Sequence, residues 1–403
     1  MHFIQNKPIN IILILFITAS VLSLSACSTP QKTIIETPFC EGLAIVNIES
    51  RVNCDGDLCS SDEYGYIDKR GHIAFKLPET VSSGYCFSEG LAAVDFRSEK
   101  FGFINRQGQI VIPVTFDFAG NFSEGLAVVA HNQKYGYIDK TGTIRIPPQF
   151  DQAYPFSNGF ARVVRDGLVG FIDQSGKLIT SEFYEQAGNF NDQHAFVCKA
   201  KQCGFISTLG NEVIPLQYEE AQSFSDGLAP VKEGQLWGYI NHAGEWVVKP
   251  KFVQAAIFSE GAAAVSEAPT DKYIINPKYA MPIPSGYIDT TGKYIIQPGF
   301  LEAMPFSEGM ARVRMHPEHN YDTSVCRYVR RDGTLLPGDY KRATDFHDGI
   351  AFVTLEQFGK VKAIDSEGNI VMEFDRMSLP DKEPWQPTLK KPWQPKTLPS
   401  VCH

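Results

Sequence analysis

Between Phe87 and Val265 the chain repeats one phrase six times, and that periodicity restricts its fold more tightly than any composition does. The copies open Phe87-Ser-Glu-Gly-Leu-Ala, Phe122-Ser-Glu-Gly-Leu-Ala, Phe156-Ser-Asn-Gly-Phe-Ala, Phe190-Asn-Asp-Gln-His-Ala, Phe224-Ser-Asp-Gly-Leu-Ala and Phe258-Ser-Glu-Gly-Ala-Ala, at one step of 35 residues and four of 34. A unit of that length is too small to bury its own apolar face, so its neighbours must supply the missing surface. Three looser copies, at Phe39, Phe306 and Phe346, bring the count to nine units. Terminal repeats of stacked arrays degenerate in this way.

The unit opening at Phe122 shows the expected local structure. Leu126 to Ala130 is apolar, Tyr135 to Ile138 is aromatic and β-branched, and Thr143 to Ile146 alternates before Pro147 stops it. Each run is strand-forming, bounded by turn residues and shorter than a helix. The recurring Asp-x-x-Gly, as in Asp139 to Gly142, is a tight turn in which the carboxylate accepts from nearby backbone N–H groups and glycine takes the positive φ. A glycine inside the second run, such as Gly136 or Gly238, marks a bulge or a close backbone approach. The leading Phe, and the aromatics Tyr66, Phe103, Tyr137 and Tyr239 that recur in step, read as buried core. The expected fold is all-β: an open superhelical array of about nine three-stranded β-repeats of about 34 residues. The alternative is a closed β-propeller, with the connector Pro148 to Pro155 giving a fourth strand. Propellers usually have four to eight blades of about 40 to 45 residues. Insertions at Asn53 to Glu63, Ala268 to Pro284 and His316 to Ser324 interrupt the first, seventh and eighth units. The latter two fall between the first and second of the three runs and project from one side of the array, which makes them candidates for a partner-specific surface.

The phrase Phe-Ser-Glu-Gly-Leu-Ala, then aromatic-Gly-Tyr-Ile-Asp, then Gly and Val-Ile-Pro resembles the WG β-repeat of many bacterial proteins. Trp237-Gly238-Tyr239-Ile240-Asn241 carries the namesake dipeptide, and the other copies replace the tryptophan. The resemblance spans about residues 39–371. It implies a β-repeat architecture and brings neither catalytic residues nor a common ligand.

The first 26 residues form a signal peptide: Lys7, then the apolar run from Ile11 to Ile17, then Val21 to Ala26. About 12 apolar residues fall short of the roughly 20 of a spanning helix. Leu24-Ser25-Ala26-Cys27 resembles the lipobox of bacterial lipoproteins, which implies lipidation of Cys27 and a membrane-anchored mature chain. Ser28 at the next position implies the outer membrane in a Gram-negative host. Residues 27–38 read as a lipidated tether, 39–371 as the array and 372–403 as a Pro- and Trp-rich tail. Loss of Lys7 leaves 36 of the 37 basic side chains against 46 acidic ones, a net charge of −10, and such a surface repels nucleic acid.

Eight cysteines remain beside Cys27, and an even number in an exported chain implies disulfides. Repeat geometry narrows the pairings to Cys40 with Cys86, Cys54 with Cys59 and Cys198 with Cys203, leaving Cys326 for Cys402. No nucleophile-elbow, zinc-protease or P-loop motif is present. The carboxylates Asp55, Asp57, Asp62 and Glu63 read as a solvated turn, although their density would suit calcium. His316 and His319 read as a surface loop. Glu89, Glu124, Glu260 and Glu308 recur with the fold and so read as structural. In the tail, Trp385 and Trp393 head an eight-residue duplication that either caps the last unit or binds a partner. The function expected is therefore non-enzymatic, with no cofactor or metal: a lipid-anchored envelope protein presenting an extended surface to a protein or cell-wall glycan. An enzyme-associated accessory or hydrolase using inserted-loop carboxylates, and a structural spacer, are the alternatives.

Overall fold

The computed structural model describes residues 32–54, 57–267, 283–316, 324–356 and 359–377. No helix occurs among them, and the strands form small antiparallel sheets, none closed into a barrel. The three strands read in each unit form in all but the fourth and eighth, and the connector before each Phe adds another. The second unit shows the plan: strand a, Val81–Gly84; strand b, Leu91–Phe96; strand c, Lys100–Asn105; and strand d, Ile110–Phe116, in that spatial order. In the connector from Pro148 to Pro155, Gln152–Ala153 is strand a of the next unit. Units four and eight keep only isolated bridges where strand d would run, and units six and seven merge because Trp246–Ala255 serves both.

The leading Phe of every unit is buried, and eight of them meet an aromatic ring on strand c of the preceding unit. Tyr66 with Phe87, Tyr137 with Phe156 and Tyr287 with Phe306 all lie at 4.9 Å between ring centres. Each apolar cluster is thus shared by two neighbours, as a repeat too small for its own core requires. The strand glycine is explained by the opposite strand: a Cβ on Gly136 would lie 2.4 Å from the carbonyl oxygen of Ile146. At that point the pairing slips, from Tyr135 opposite Phe150 to Tyr137 opposite Ile146, which is a bulge. In the ninth unit Lys362 replaces the glycine, and the pairing runs through Val361, Lys362 and Ala363 without a slip.

The ends of the array meet, so the arrangement formed is the closed alternative and not an open superhelix. Strand Lys32–Ile35 pairs antiparallel with Leu43–Cys54 and parallel with the last strand, Arg376–Met377. One apolar cluster joins Phe39, Ala44, Val46 and Ile67 of the first unit to Phe352, Val361, Ala363 and Phe374 of the ninth. Open ends would leave these two faces in water. Their mutual burial supplies the same apolar contact that every other pair of neighbours makes. Residues read as tether and tail therefore each give a strand to the first blade. The insertion of the first unit is not a loop either: Asp57–Asp68 pairs with Leu43–Cys54 as one long hairpin.

Candidate functional site

Because each blade is an antiparallel meander, its a–b and c–d turns emerge at one end and its b–c turns and inter-blade connectors at the other. The ring has a turn face and a hairpin face. On the turn face, Ser88 and Leu91 exchange both backbone hydrogen bonds around Glu89 and Gly90, whose φ angles are 53° and 83°. This is the two-residue turn with both central residues left-handed that matches the twist of a hairpin. The turn holds the acid side chain out toward the following blade.

There each acid accepts from the N–H of the glycine one unit on. Glu89 reaches Gly125 at 3.1 Å, Glu124 reaches Gly159 at 2.9 Å, Glu260 reaches Gly309 at 2.9 Å and Glu308 reaches Gly349 at 2.7 Å. The same step is made by Glu41, Asp192 and Asp226, and Asp348 completes the circle at Gly42, 2.7 Å away. These four acids occupy the equivalent repeat position, which is the signal that finds them in the sequence. The serine before the acid adds a second tie: Ser88 Oγ donates to the carbonyl of Phe122 at 2.7 Å, and Ser123 Oγ to that of Phe156. A basic residue of the c–d turn often joins, as Lys140 does with Glu89 at 2.9 Å and Lys69 with Asp348 at 3.7 Å. Burial opposes ionisation of Glu89, yet the bonds from Lys140 and Gly125 outweigh it and hold the carboxyl below its usual range.

One step departs from the pattern. Asn158 replaces the acid and donates to the carbonyl of Phe190 at 2.8 Å, while Gln193 stands where the next glycine would be. Beside it, His194 and His242 stack with ring centres 4.8 Å apart. Partial burial and the neighbouring imidazole keep His242 below its ordinary pKa, against the pull of Asp192.

The hairpin face carries a parallel set of ties. Asp117 pairs with Lys100 of the preceding blade and accepts from the N–H of Asn132 in its own hairpin at 2.7 Å; Asp151 does the same with Lys134 and Asp166. Both carboxyls are held below their usual range by the lysine first and the backbone N–H second. The interrupted hairpins, Ala262–Glu267 with Ser285–Asp289 and Met310–Met315 with Val325–Arg330, open on this face, as does the tip of the long first hairpin. In a closed ring units seven, eight, nine and one are consecutive, so these openings share one arc.

Of the candidate residues, Cys27, Asp55, His319, Trp385, Trp393 and Cys402 lie outside the described residues. Cys40 is bonded to Cys86, and Cys198 to Cys203. Cys326 is also in a disulfide, its partner lying outside the described side chains. In the long hairpin Cys54 stands opposite Asp57 and Cys59 opposite Val52. Asp57 and Asp62 sit in a strand of that hairpin and Glu63 pairs with Lys76 at 2.6 Å, so these carboxylates are spread along a hairpin and not gathered in one loop. His316 directly follows Met315, the last residue of strand b of the eighth unit.

Residues 101–135, 135–168, 170–202, 204–237, 237–267 and 286–316 match the WG containing repeat family. The stretch 101–316 is therefore built of WG repeats. No curated protein sequence matches the chain. Among solved structures, a eukaryotic initiation factor covers 78% of this chain and 94% of its own with 9% identity and a TM-score of 0.52. That likeness is one of fold and places the ring among propeller-like structures. The Hsv2 protein of Kluyvelomyces marxianus covers 59% of this chain and 89% of its own (12% identity, TM-score 0.34), and the WD40 beta propeller domain of Doa1 covers 59% and 91% (9% identity, TM-score 0.27).

Proposed function

We propose that this ring, built on WG repeats, is a non-catalytic binding platform, anchored to the bacterial envelope through a lipid on Cys27 and recognising a protein or cell-wall glycan. The supporting observation is where the recurring polar groups go. The head carboxylates that dominate the sequence are engaged between blades, Glu89 with Gly125 and Lys140, Glu308 with Gly349, and Asp348 with Gly42. Groups committed to holding a ring together are not free for acid–base chemistry. Recognition is left to what differs between units, above all the openings on the arc from unit seven to unit one, carried by a rigid frame. In a Gram-negative host the serine after Cys27 directs the anchor to the outer membrane.

The test has two parts. Metabolic acyl labelling should mark the wild-type protein and not Cys27→Ala, which should leave the detergent phase; unchanged partitioning of that variant would sink the anchor. Photocrosslinking in intact envelopes should give discrete adducts from probes beside the seventh and eighth insertions, lost when both insertions are excised. An adduct pattern indifferent to their removal would move the binding surface elsewhere.

A further inference from the structure

We infer that the ring stands over the bilayer with its hairpin face inward and its turn face outward, oriented by the direction in which the first strand enters the blade, so that the openings proposed for recognition face a membrane-side protein and not the cell-wall glycan. The inference rests on the reading of Cys27 as the lipid-bearing residue. Lys32 pairs with Glu49 and Ile35 with Val46, while the head turn Cys40 to Leu43 closes on the turn face. Passing from Lys32 to Ile35 therefore runs away from the tip of the long hairpin, so the chain enters the ring from the hairpin face. Five residue steps separate Cys27 from Lys32, and a fully extended chain covers at most about 18 Å in that number.

That reach is short against the dimensions of the ring. A six-residue strand is roughly 20 Å long, so the turn face lies a full strand length beyond the point of entry. Lys32–Ile35 is also three strands in from the outer edge of its blade, a lateral distance of about 14 Å. The outer edge is strand d, where Ile73, Ile110, Ile144 and Ile370 are exposed. An acyl chain seated in the membrane thus draws the hairpin face down before either the rim or the turn face makes contact. At the other end, Arg376–Met377 runs parallel to the first strand, so the described chain finishes heading toward the turn face. Charge does not set this orientation. Three lysines of the hairpin face are matched by acids, Lys100 by Asp117, Lys134 by Asp151 and Lys232 by Glu220, which reduces their attraction to anionic lipid.

The test uses the full-length lipidated protein in vesicles of neutral phosphatidylcholine carrying a headgroup quencher. A fluorescent non-natural residue is placed at Gln133, in a hairpin-face turn, or at Thr141, in a turn-face turn; both are exposed and they lie at opposite ends of the strand Lys134–Asp139. A third probe at Ile144 reports the rim. Quenching should be several-fold stronger at Gln133 than at Thr141 or Ile144, should not change with salt, and should even out when a long Gly/Ser linker is inserted after Ser28. If the protein is acylated and bound yet Thr141 or Ile144 is quenched as strongly as Gln133, the orientation is wrong while the anchor stands. If acyl labelling fails, the anchor and this inference fall together.

Discussion

Glu89 shows how a side chain repeated through the sequence can be structural in every copy. Its carboxylate accepts from Gly125 and pairs with Lys140, and its folded pKa is depressed. A depressed carboxyl stabilises the fold above its unfolded pKa, near pH 4, and that contribution disappears as pH falls through the folded value. Asp117 and Asp151 are shifted in the same direction. Urea unfolding should therefore show a midpoint that drops as pH is lowered from about 6 to about 3, and Glu89→Gln should lose less over that interval than the wild type. An equal loss in both would remove Glu89 from the acid response. The buried tyrosines make a second residue-scale tie. Tyr137 Oη donates to the carbonyl of Tyr154 at 2.8 Å, and Tyr239, Tyr287 and Tyr328 donate to the following blade in the same manner. Tyr137→Phe should cost about 1–2 kcal/mol, because the Tyr154 carbonyl is left without its partner. The measurement is a shift in urea midpoint at constant m-value.

At the scale of the strand, Gly136 is the sharpest test of why the repeat has its form. Ala at this site would press its Cβ onto the carbonyl of Ile146, a backbone atom that cannot swing away. Gly136→Ala should destabilise by roughly 1–3 kcal/mol, the usual cost of overpacking, whereas Gly120→Ala, with 3.6 Å or more around its Cβ, should be milder. Calorimetry of the two variants side by side decides this. The disulfides act at the same scale. The Cys40–Cys86 bond closes a separation of 46 residues and the Cys198–Cys203 bond one of 5. On the chain-entropy model the first contributes up to about 4 kcal/mol and the second about 2, so Cys86→Ser should lower the melting temperature more than Cys203→Ser. Non-reducing peptide mapping should join Cys326 to Cys402. These elements were largely legible in the sequence: strand runs, the buried Phe, the mid-strand glycine and two cysteine pairs follow from local pattern and period. The short a strands were harder to read. Gln152–Ala153 has only two residues and no β-branched signal, and it pairs because the neighbouring blade holds it. Likewise the reach of Glu89 to Gly125 cannot be seen within one unit, since its partner lies 36 residues away.

For the whole molecule, ring closure is what sequence reasoning weighed and placed second. The count of units and their length favour an open array, but neither says whether the small rotation between neighbours adds up to a full turn. That sum is set by packing at every interface, and it shows only in contacts between the first and ninth units, such as Phe39 with Phe352, ring centres 6.0 Å apart, and Ile34 opposite Arg376. Closure also changes how the protein tolerates deletion. An open array loses a terminal unit with little effect on the others. Here, removing residues 346–377 should expose the first unit's share of the core, including Phe39 and Val46, and lower the stability of the remaining blades together. The truncated chain should bind a hydrophobic dye and elute with a larger hydrodynamic radius; a compact, dye-silent truncation would refute a closed ring. The parallel pairing of Ile34 with Arg376 and Ile35 with Met377 has a further consequence in time. A chain made from its N-terminus reaches Arg376 only after the other blades have been made, so the blade begun first is completed last. Throughout synthesis one face of the growing stack has no partner. Residues 32–35 are thus a docking strand held in reserve, and the slowest event in maturation should be the search that brings the two ends of the polymer together.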